Sequence, residues 1–545
     1  MMITKFTIPL PTIKISVSFR VLDVLAVSVL TWSLIRLARS ARRRARAPRL
    51  PGPPTNSFIF GYPEVLMTPD GPDIYEAWAE KYGSVYQIPC TLGTKRIVLH
   101  DPKAIAHFYA RETTTYILTP LAVWLTGIIV GKESMLTSHG EVHKRQRKSL
   151  TPAFSVAAIR KLSPIFYDSV YKAKAAWDTI LESSPDGEII EVQQCLDTIG
   201  VAGFSHDFAS LSGSPSAVQT VFESLANAKP SPLFGILFVL AHLFPAMLSL
   251  PNPRTQMTKL LNESMGSISA VLLERSRKEG EGVLEEGESD RSIIGLLLKA
   301  GKADSELHMS QEEIMAQMKV LLFAGYETTS VSLTWALIEL CRDQESQTKL
   351  REELSQLQTD PTWDQLHNGL PYLDAVVNEV LRLHPPLSET SRVSTEHDLI
   401  PLSSPLHSPS STATFSSPTH LPIPPSTVVT VPIAAINRSV SIWGSDAKEF
   451  KPARWIEEGG IPGKAKGIVG YKHLLTFADG PRTCLGKGFA VAEFKAVLSV
   501  LIRNYAFEFK DGPGTKTDLA GGVMPRPKIA GEEGSRVPLR VRRIE

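Results

Sequence analysis

The sequence contains little cysteine, with 4 in 545 residues. The four are Cys90, Cys195, Cys341 and Cys484, and no two of them stand at the short spacing typical of zinc and iron–sulfur sites. So few cysteines also provide no disulfide framework, which is typical of a protein from a reducing compartment. The composition therefore excludes cysteine-cluster metal sites, and it predicts that any functional cysteine acts alone.

The chain also lacks an excess of charge of either sign, with 58 basic and 56 acidic residues. Seven of the basic residues are arginines between Arg36 and Arg49, so acidic residues outnumber basic ones in the rest of the chain. A protein that binds nucleic acid through its main body needs a basic surface there. We therefore expect no nucleic-acid partner.

Long apolar runs are few, and the first lies near the N-terminus. Extended back to Ile13 and ending at Arg36, it is long enough for a bilayer, which takes about 20 residues, although three charged residues interrupt it. A signal peptide is the alternative, but arginines follow directly and no clean small-residue cleavage site is present. A soluble surface helix is a third reading. We expect residues 1–50 to form a membrane anchor with a basic, proline-containing linker, and residues 51–545 to lie on the cytoplasmic side.

A second apolar run extends from Leu233 to Leu250. A second membrane span would place the sequence motifs described below on opposite sides of the membrane, whereas we expect these motifs to serve one site. We therefore interpret the run as an exposed apolar patch that dips into the membrane or lines a substrate entrance.

The remaining pattern predicts a mainly α fold with minor β structure, in one large domain. Helical periodicity dominates up to Leu383, and β-like runs occur at Arg96–Leu99 and Thr427–Pro432. The compositions of Glu279–Asp290 and Pro401–Ser426 predict a solvated loop and an irregular connection.

The strongest chemical signal is the segment Phe477–Gly486, which contains Cys484. A thiolate that binds haem iron needs a loop in which glycines allow tight turns close to the sulfur, and backbone N–H groups can then tune the metal. Arg482 can pair with a haem propionate. A buried structural cysteine in a glycine-rich turn is the simpler interpretation of Cys-x-Gly alone, but the full segment argues against it.

The segment resembles the haem-binding loop F-x-x-G-x-R-x-C-x-G of the cytochrome P450 family. Three further motifs agree in order and spacing: Glu379-x-x-Arg382, Phe450-x-Pro452-x-Arg454-Trp455, and Ala324-Gly325-x-Glu327-Thr328-Thr329. The resemblance covers about Pro51 to Lys510 and is to membrane-bound eukaryotic, fungal members. It implies the cytochrome P450 fold, a single haem domain with an N-terminal anchor.

The resemblance also implies a set of site residues. Cys484 would be the metal ligand, and Glu379, Arg382 and Arg454 would form a buried structural triad. The cofactor-binding residues would be Arg147, His143, Arg392, Arg482, Phe477, Gly486, Ala324 and Gly325. His143 stands where the family has the tryptophan of W-x-x-x-R. Ala453 and Asp479 also depart from the pattern, and Asp479 puts a carboxylate near the thiolate.

Thr328 and Glu327 would be the catalytic residues. The capping box at Ser310–Glu313 opens an uninterrupted helical stretch that reaches about Cys341. The Thr328 hydroxyl can bond a carbonyl of the preceding turn and loosen the helix, so that water can enter. Without Cys484, a core helix with a tolerated glycine would be the better interpretation. With it, we read an oxygen-binding groove in which Thr328 and Glu327 deliver protons.

The activity that the resemblance implies is a monooxygenase reaction on haem b, in which one oxygen atom of O2 enters a lipophilic substrate. The electrons would come from NADPH through NADPH–cytochrome P450 reductase, with cytochrome b5 as a further partner. The protein would be a single-pass protein of the endoplasmic reticulum membrane, in secondary metabolism. Substrate contacts are expected at Tyr116–Val130, Phe222–Leu250 and after Pro386.

Two alternatives belong to other classes. An isomerase or dehydratase of the same fold would rearrange a peroxide, but such relatives tend to lose the acid–alcohol pair that Glu327 and Thr328 provide. A non-enzymatic membrane protein with two spans would require the haem motifs to be accidental.

Overall fold

The computed structural model describes residues 4–10, 13–19, 50–62, 68–184, 186–199, 253–281, 307–405, 419–520 and 524–544, with single positions between 23 and 35 and between 237 and 247. Its helices are α1 Gly71–Tyr82, α2 Pro102–Ala110, α3 Pro120–Val130, α4 Gly140–Leu150, α5 Val156–Leu181, α6 Val192–Ile199, α7 Pro253–Glu281, α8 Gln311–Arg342, α9 Gln344–Ser355, α10 Pro371–Leu383, α11 Ile433–Asn437, α12 Val440–Trp443 and α13 Lys487–Asn504.

The strands are short. They are β1 Thr4–Leu10, β2 Ile13–Phe19, β3 Val85–Pro89, β4 Lys95–Leu99, β5 Tyr116–Ile117, β6 Glu188–Glu191, β7 Thr390–Ser394, β8 Asp398–Pro401, β9 His420–Ile423, β10 Val428–Val431, β11 Tyr505–Phe509, β12 Thr517–Ala520, β13 Arg526–Ile529 and β14 Pro538–Arg543. The predicted mainly α fold with minor β structure is confirmed, as are the two β-like runs, which form β4 and β10.

The largest sheet has five strands in the order β3-β4-β10-β7-β5. β10 lies parallel to β4 and antiparallel to β7, where Val429 is opposite Arg392. Strand β5 adds Tyr116 and Ile117 to the other side of β7. A three-stranded sheet has the order β11-β14-β6, and β8–β9 and β12–β13 are two-stranded. The main sheet thus places Arg392 next to the chain segment that follows α2.

Several helices begin at side chains that accept a hydrogen bond from a backbone N–H group of the first turn. Asp101 caps α2, Thr119 caps α3 and Ser155 caps α5. The predicted capping box is confirmed at α8, where Ser310 Oγ accepts from the Glu313 N–H at 3.1 Å and Glu313 accepts from the Ser310 N–H at 2.9 Å. These caps satisfy backbone donors that a helix start leaves without partners, and they fix where each helix begins.

Helix α8 crosses the core, with most of its residues buried. It packs against α6, α7, α10 and α13. Helix α13 in turn packs along α5, with the rings of Phe166 and Phe489 4.9 Å apart. Helix α10 ends at Leu383, because Pro385 and Pro386 cannot continue it.

The apolar run near the N-terminus does not continue as a helix back to Ile13. Ile13–Phe19 forms strand β2, which pairs antiparallel with β1, so that Ile8 lies opposite Ile15 and Phe6 opposite Val17. Apolar residues alternate with polar ones in both strands, a period of two that favours a strand over a helix. Among the described residues, we find no helix that is both long and apolar enough to span a bilayer. Most of the apolar run after Phe19 lies outside the described residues.

Three other segments differ from what the sequence predicts or lie partly outside the described residues. The ends of Pro401–Ser426 are ordered, because β8 and β9 pair between Asp398 and Ile423, whereas residues 406–418 lie outside the described residues. The expected loop from Glu279 begins within the last turn of α7. Most of the apolar run Leu233–Leu250 also lies outside the described residues. Its residues Leu237 and Ala241 are buried against α3, whereas the sequence predicts an exposed patch.

Candidate active site

The loop before α13 holds Cys484 by backbone hydrogen bonds. The Cys484 N–H donates to the Phe477 carbonyl at 2.8 Å, and the Gly486 N–H bonds to the Cys484 sulfur. Gly480 has a φ of +66°, and a Cβ atom there would lie 2.2 Å from the Tyr109 carbonyl oxygen. Only glycine allows this close approach, so the loop is fixed against the end of α2.

The Cys484 side chain lies deep in the molecule and yet has accessible surface, so it faces an interior cleft. Burial raises the pKa of its thiol, and the Gly486 N–H, Arg147 and Lys487 oppose that effect. Burial thus favours the neutral thiol, and a metal cation bound to the sulfur would stabilise the thiolate instead.

A strip of α8 is open where the rest of that helix is buried. Ala324 is exposed and Gly325 and Thr328 are half-buried, while the neighbouring residues Val320–Phe323 are buried. The Thr328 hydroxyl donates to the Ala324 carbonyl at 2.8 Å, which is the local bond that the sequence predicts. Small side chains and one hydroxyl thus line this part of the cleft.

Glu327 points away from the cleft that Thr328 faces, because adjacent residues on a helix lie about 100° apart. Its Oε1 accepts from Arg526 Nε at 2.9 Å, and Arg526 Nη1 also lies 2.7 Å from Asp197 Oδ2. Burial raises the pKa of Glu327, and Arg526 opposes this effect. The sequence reasoning missed Arg526 and Asp197, since no motif marks a partner 199 residues away.

Glu379 and Arg382 form a fully buried bidentate ion pair, with distances of 2.7 and 2.8 Å. Arg382 also donates to the carbonyls of Asn437, Ala447 and Glu449. These bonds satisfy the guanidinium, so the pair ties α10 to the chain before the haem loop.

Arg454 completes the predicted group, with its Nε 3.5 Å from Glu379 Oε1. Its nearer carboxylate is Asp446, at 2.9 Å, which the sequence reasoning did not include. Trp455 Nε1 donates to Glu379 at 2.9 Å. The structure thus brings Glu379, Arg382 and Arg454 together, and it adds Asp446 as a second carboxylate partner of Arg454.

The predicted propionate residues gather into one group, which we call the cation cluster: Arg147, His143, Arg392 and Arg482. Burial lowers the pKa of Arg482 to about 10, with Arg392 and Arg147 adding to the effect. Burial lowers the pKa of His143 to about 4, again with help from Arg482 and Arg147. The three arginines therefore carry positive charges that repel one another and disfavour a further charge on His143. Such an arrangement suits anionic carboxylates.

These residues fit haem b. Its flat ring needs a surface of small side chains, which the Ala324–Thr328 strip provides. Its iron takes a thiolate, for which Cys484 is placed, and its two propionates need cations such as those of the cluster. Arg147 links the two parts, because it acts on the pKa of both Cys484 and Arg482.

Comparisons with known proteins agree with this geometry. The family model described as Cytochrome P450 matches residues 51–530. The chain is 55% identical to cytochrome P450 monooxygenase claP of Ampulloclitocybe clavipes, covering 96% of this chain and 98% of that protein. For claW of the same fungus the identity is 52%, with the same coverage. For cytochrome P450 monooxygenase 205 of Postia placenta it is 32%, covering 96% and 97%.

The relatives are monooxygenases by name, so the isomerase or dehydratase alternative is not favoured, and neither is a non-enzymatic membrane protein. The family implies haem b with an axial cysteine thiolate, and in general a reductase, O2 and a small-molecule substrate. The chain belongs to the cytochrome P450 family and is a haem-thiolate monooxygenase.

Proposed function

We propose that Cys484 is the axial ligand of the haem iron and that the cation cluster holds the propionates. The observation that carries this assignment is the position of Arg147, which acts electrostatically on the Cys484 sulfur and on Arg482 and His143. The ligand and the cations therefore border one space. The Phe477 carbonyl accepts from the Cys484 backbone N–H, and the Gly486 N–H bonds to the sulfur itself.

When bound, haem supplies O2 activation and insertion of one oxygen atom into the substrate. The chain's part is to bind, orient and supply protons. Ala324 and Gly325 would leave room for the haem ring, and the Thr328 hydroxyl lies at the cleft, where it could hold water. In this proposal Glu327 is the acid that supplies protons to Thr328, and Arg526 fixes the Glu327 carboxylate.

The substrate in this proposal is a lipophilic small molecule. Helix α3 is apolar over Pro120–Val130, and its carbonyls at Ile128 and Ile129 accept from Asn262 of α7. These bonds tie α3 to α7, and α3 also packs against α8. We infer that the substrate passes this apolar helix on its way to the cleft. Electrons come from NADPH through NADPH–cytochrome P450 reductase, and cytochrome b5 is a second partner.

We infer that Lys144 faces the redox partner, because its side chain on α4 is 75% exposed. Arg145, by contrast, turns inward to Glu313. We place residues 1–50 as anchor and linker and residues 51–545 as the haem domain, in the endoplasmic reticulum membrane with the domain on the cytoplasmic face. The basic run Arg36–Arg49 supports that orientation.

The experiment for the activity reconstitutes the protein with reductase and NADPH. Lipophilic compounds are first screened for a shift of the haem absorption band, and those that bind are turned over under isotopically labelled dioxygen. One labelled oxygen atom in the product is expected. Product without label from dioxygen would support a peroxide-rearranging reaction instead.

A further inference from the structure

One short segment, Tyr109–Tyr116, contacts all three parts of the chain that carry the cation cluster. The Tyr109 carbonyl touches the haem loop at Gly480. The Thr113 carbonyl accepts from the Gly140 N–H at 2.8 Å, at the start of α4, the helix of His143 and Arg147. Tyr116, the last residue of the segment, is the first residue of β5, which pairs with β7, the strand of Arg392.

The carboxylate of this segment, Glu112, lies inside the cluster. Its side chain is 0% exposed, and its Oε1 lies 2.9 Å from Arg392 Nε. The pair is a close ionic contact rather than an aligned hydrogen bond, and no described residue gives either oxygen an aligned donor. Arg482 Nε is likewise buried without an aligned acceptor. Glu112 is thus held by charge, between two arginines.

Glu112 opposes the repulsion between the arginines of the cation cluster. Arg392 and Arg147 add to the effect of burial in lowering the pKa of Arg482, and Glu112 acts in the opposite direction. Burial raises the pKa of Glu112 itself, against the effect of Arg392 and Arg482, and Asp479 is the other carboxylate that faces it. A buried carboxylate beside cations persists because each satisfies the other.

We propose that Glu112 is a positioning residue of the cofactor site. Its carboxylate fixes Arg392 and offsets the repulsion between Arg392 and Arg482, so that the cluster is arranged for the haem carboxylates. This inference rests on the proposed role of the cluster in binding the propionates. No motif in the sequence marks Glu112, because its role depends on three segments that are distant in the chain.

Two effects are expected from Glu112→Gln, which keeps the shape and removes the charge. Arg392 loses its fixed orientation, so haem dissociates faster, by about tenfold if one charged contact is weakened. A buried negative charge beside the cofactor is also lost, which favours the added electron. The midpoint potential of the ferric/ferrous couple therefore becomes more positive.

The test measures haem transfer from the full-length holoprotein to excess apomyoglobin, together with the midpoint potential by reductive titration. Glu396→Gln is the matched control, because it removes an exposed carboxylate that accepts from Thr115 of the same segment at 2.7 Å. The control should match wild type in both measurements. Glu112→Asp keeps the charge but shortens the side chain, so faster haem loss with a near-wild-type potential is expected.

Wild-type haem loss and potential in Glu112→Gln would overturn the inference. If that variant yields no folded protein, wild-type haem loss in Glu112→Asp overturns the positioning role instead. Arg392→Gln separates this failure from a failure of the proposed function. Faster haem loss in Arg392→Gln alone would leave the propionate assignment intact, whereas wild-type loss there would remove Arg392 from the cofactor site.

Discussion

Arg526 binds Glu327 with its Nε 2.9 Å from the carboxylate, and both side chains are 1% exposed. The same guanidinium contacts Asp197, which is 2% exposed. The acid of the acid–alcohol pair is therefore part of a buried ion cluster that joins α8, α6 and β13. Buried charges of this kind depend on one another, since removing one leaves the rest without compensation.

Replacing Arg526 should destabilise the fold. Arg526→Gln leaves Glu327 and Asp197 buried without their cation, which costs about 3–5 kcal/mol in the free energy of unfolding. The measurement is the thermal midpoint of the haem-loaded protein. Arg540→Gln, at an exposed position of β14, is the control. A drop no larger than that of the control would show that Arg526 is not needed to hold the two carboxylates.

Glu493 gives a prediction about pH. It is fully buried on α13, no described residue gives it an aligned hydrogen bond, and the Thr329 hydroxyl is the polar group that faces it. Burial raises its pKa from 4.5 to about 8. The folded protein thus keeps this proton over a range in which the unfolded chain has released it. Rising pH therefore lowers stability between these values, by up to about 5 kcal/mol.

Glu493→Gln should remove this effect. The variant's thermal midpoint, relative to wild type, should rise steadily as the pH increases from about 5 to 8, following the pKa of Glu493. Glu508→Gln, at an exposed position of β11, controls for the loss of one carboxylate. A difference that does not change with pH would mean that Glu493 does not titrate in this way.

Local signals predicted much of this molecule. The Ser310–Glu313 capping box gave the start of α8, and paired prolines gave the end of α10. The E-x-x-R spacing places Glu379 and Arg382 on one helical face, so their contact follows from helix geometry. Partners such as Arg526 and Glu112 were missed because tertiary packing alone brings them to their sites.

Thr328→Ala tests proton delivery. Alanine keeps the helix but loses the hydroxyl that now bonds to the Ala324 carbonyl, so haem binding should survive. We expect product formed per NADPH consumed to fall severalfold, with the missing electrons recovered as hydrogen peroxide. Thr328→Ser keeps the hydroxyl and should restore much of the coupling. Unchanged coupling in Thr328→Ala would remove this residue from the mechanism.

Removing residues 1–49 tests the anchor. The described contacts of the linker begin at Leu50, whose carbonyl accepts from Gln87 at 2.6 Å, and at Pro51, whose carbonyl accepts from the Gln87 N–H at 2.9 Å. The truncated protein should therefore fold and bind haem, and a smaller fraction of it should sediment with membranes. An unchanged membrane fraction would place the main membrane contact in the haem domain.

The central claim is that Cys484 binds the haem iron, and the absorption spectrum of the reduced carbonyl complex tests it most directly. The wild-type protein should show the red-shifted Soret band that a thiolate ligand produces. Cys484→Ser should lose that band, whereas Cys90→Ser, Cys195→Ser and Cys341→Ser should keep it. Retention of the band in Cys484→Ser, or its loss in one of the other three variants, would contradict the account.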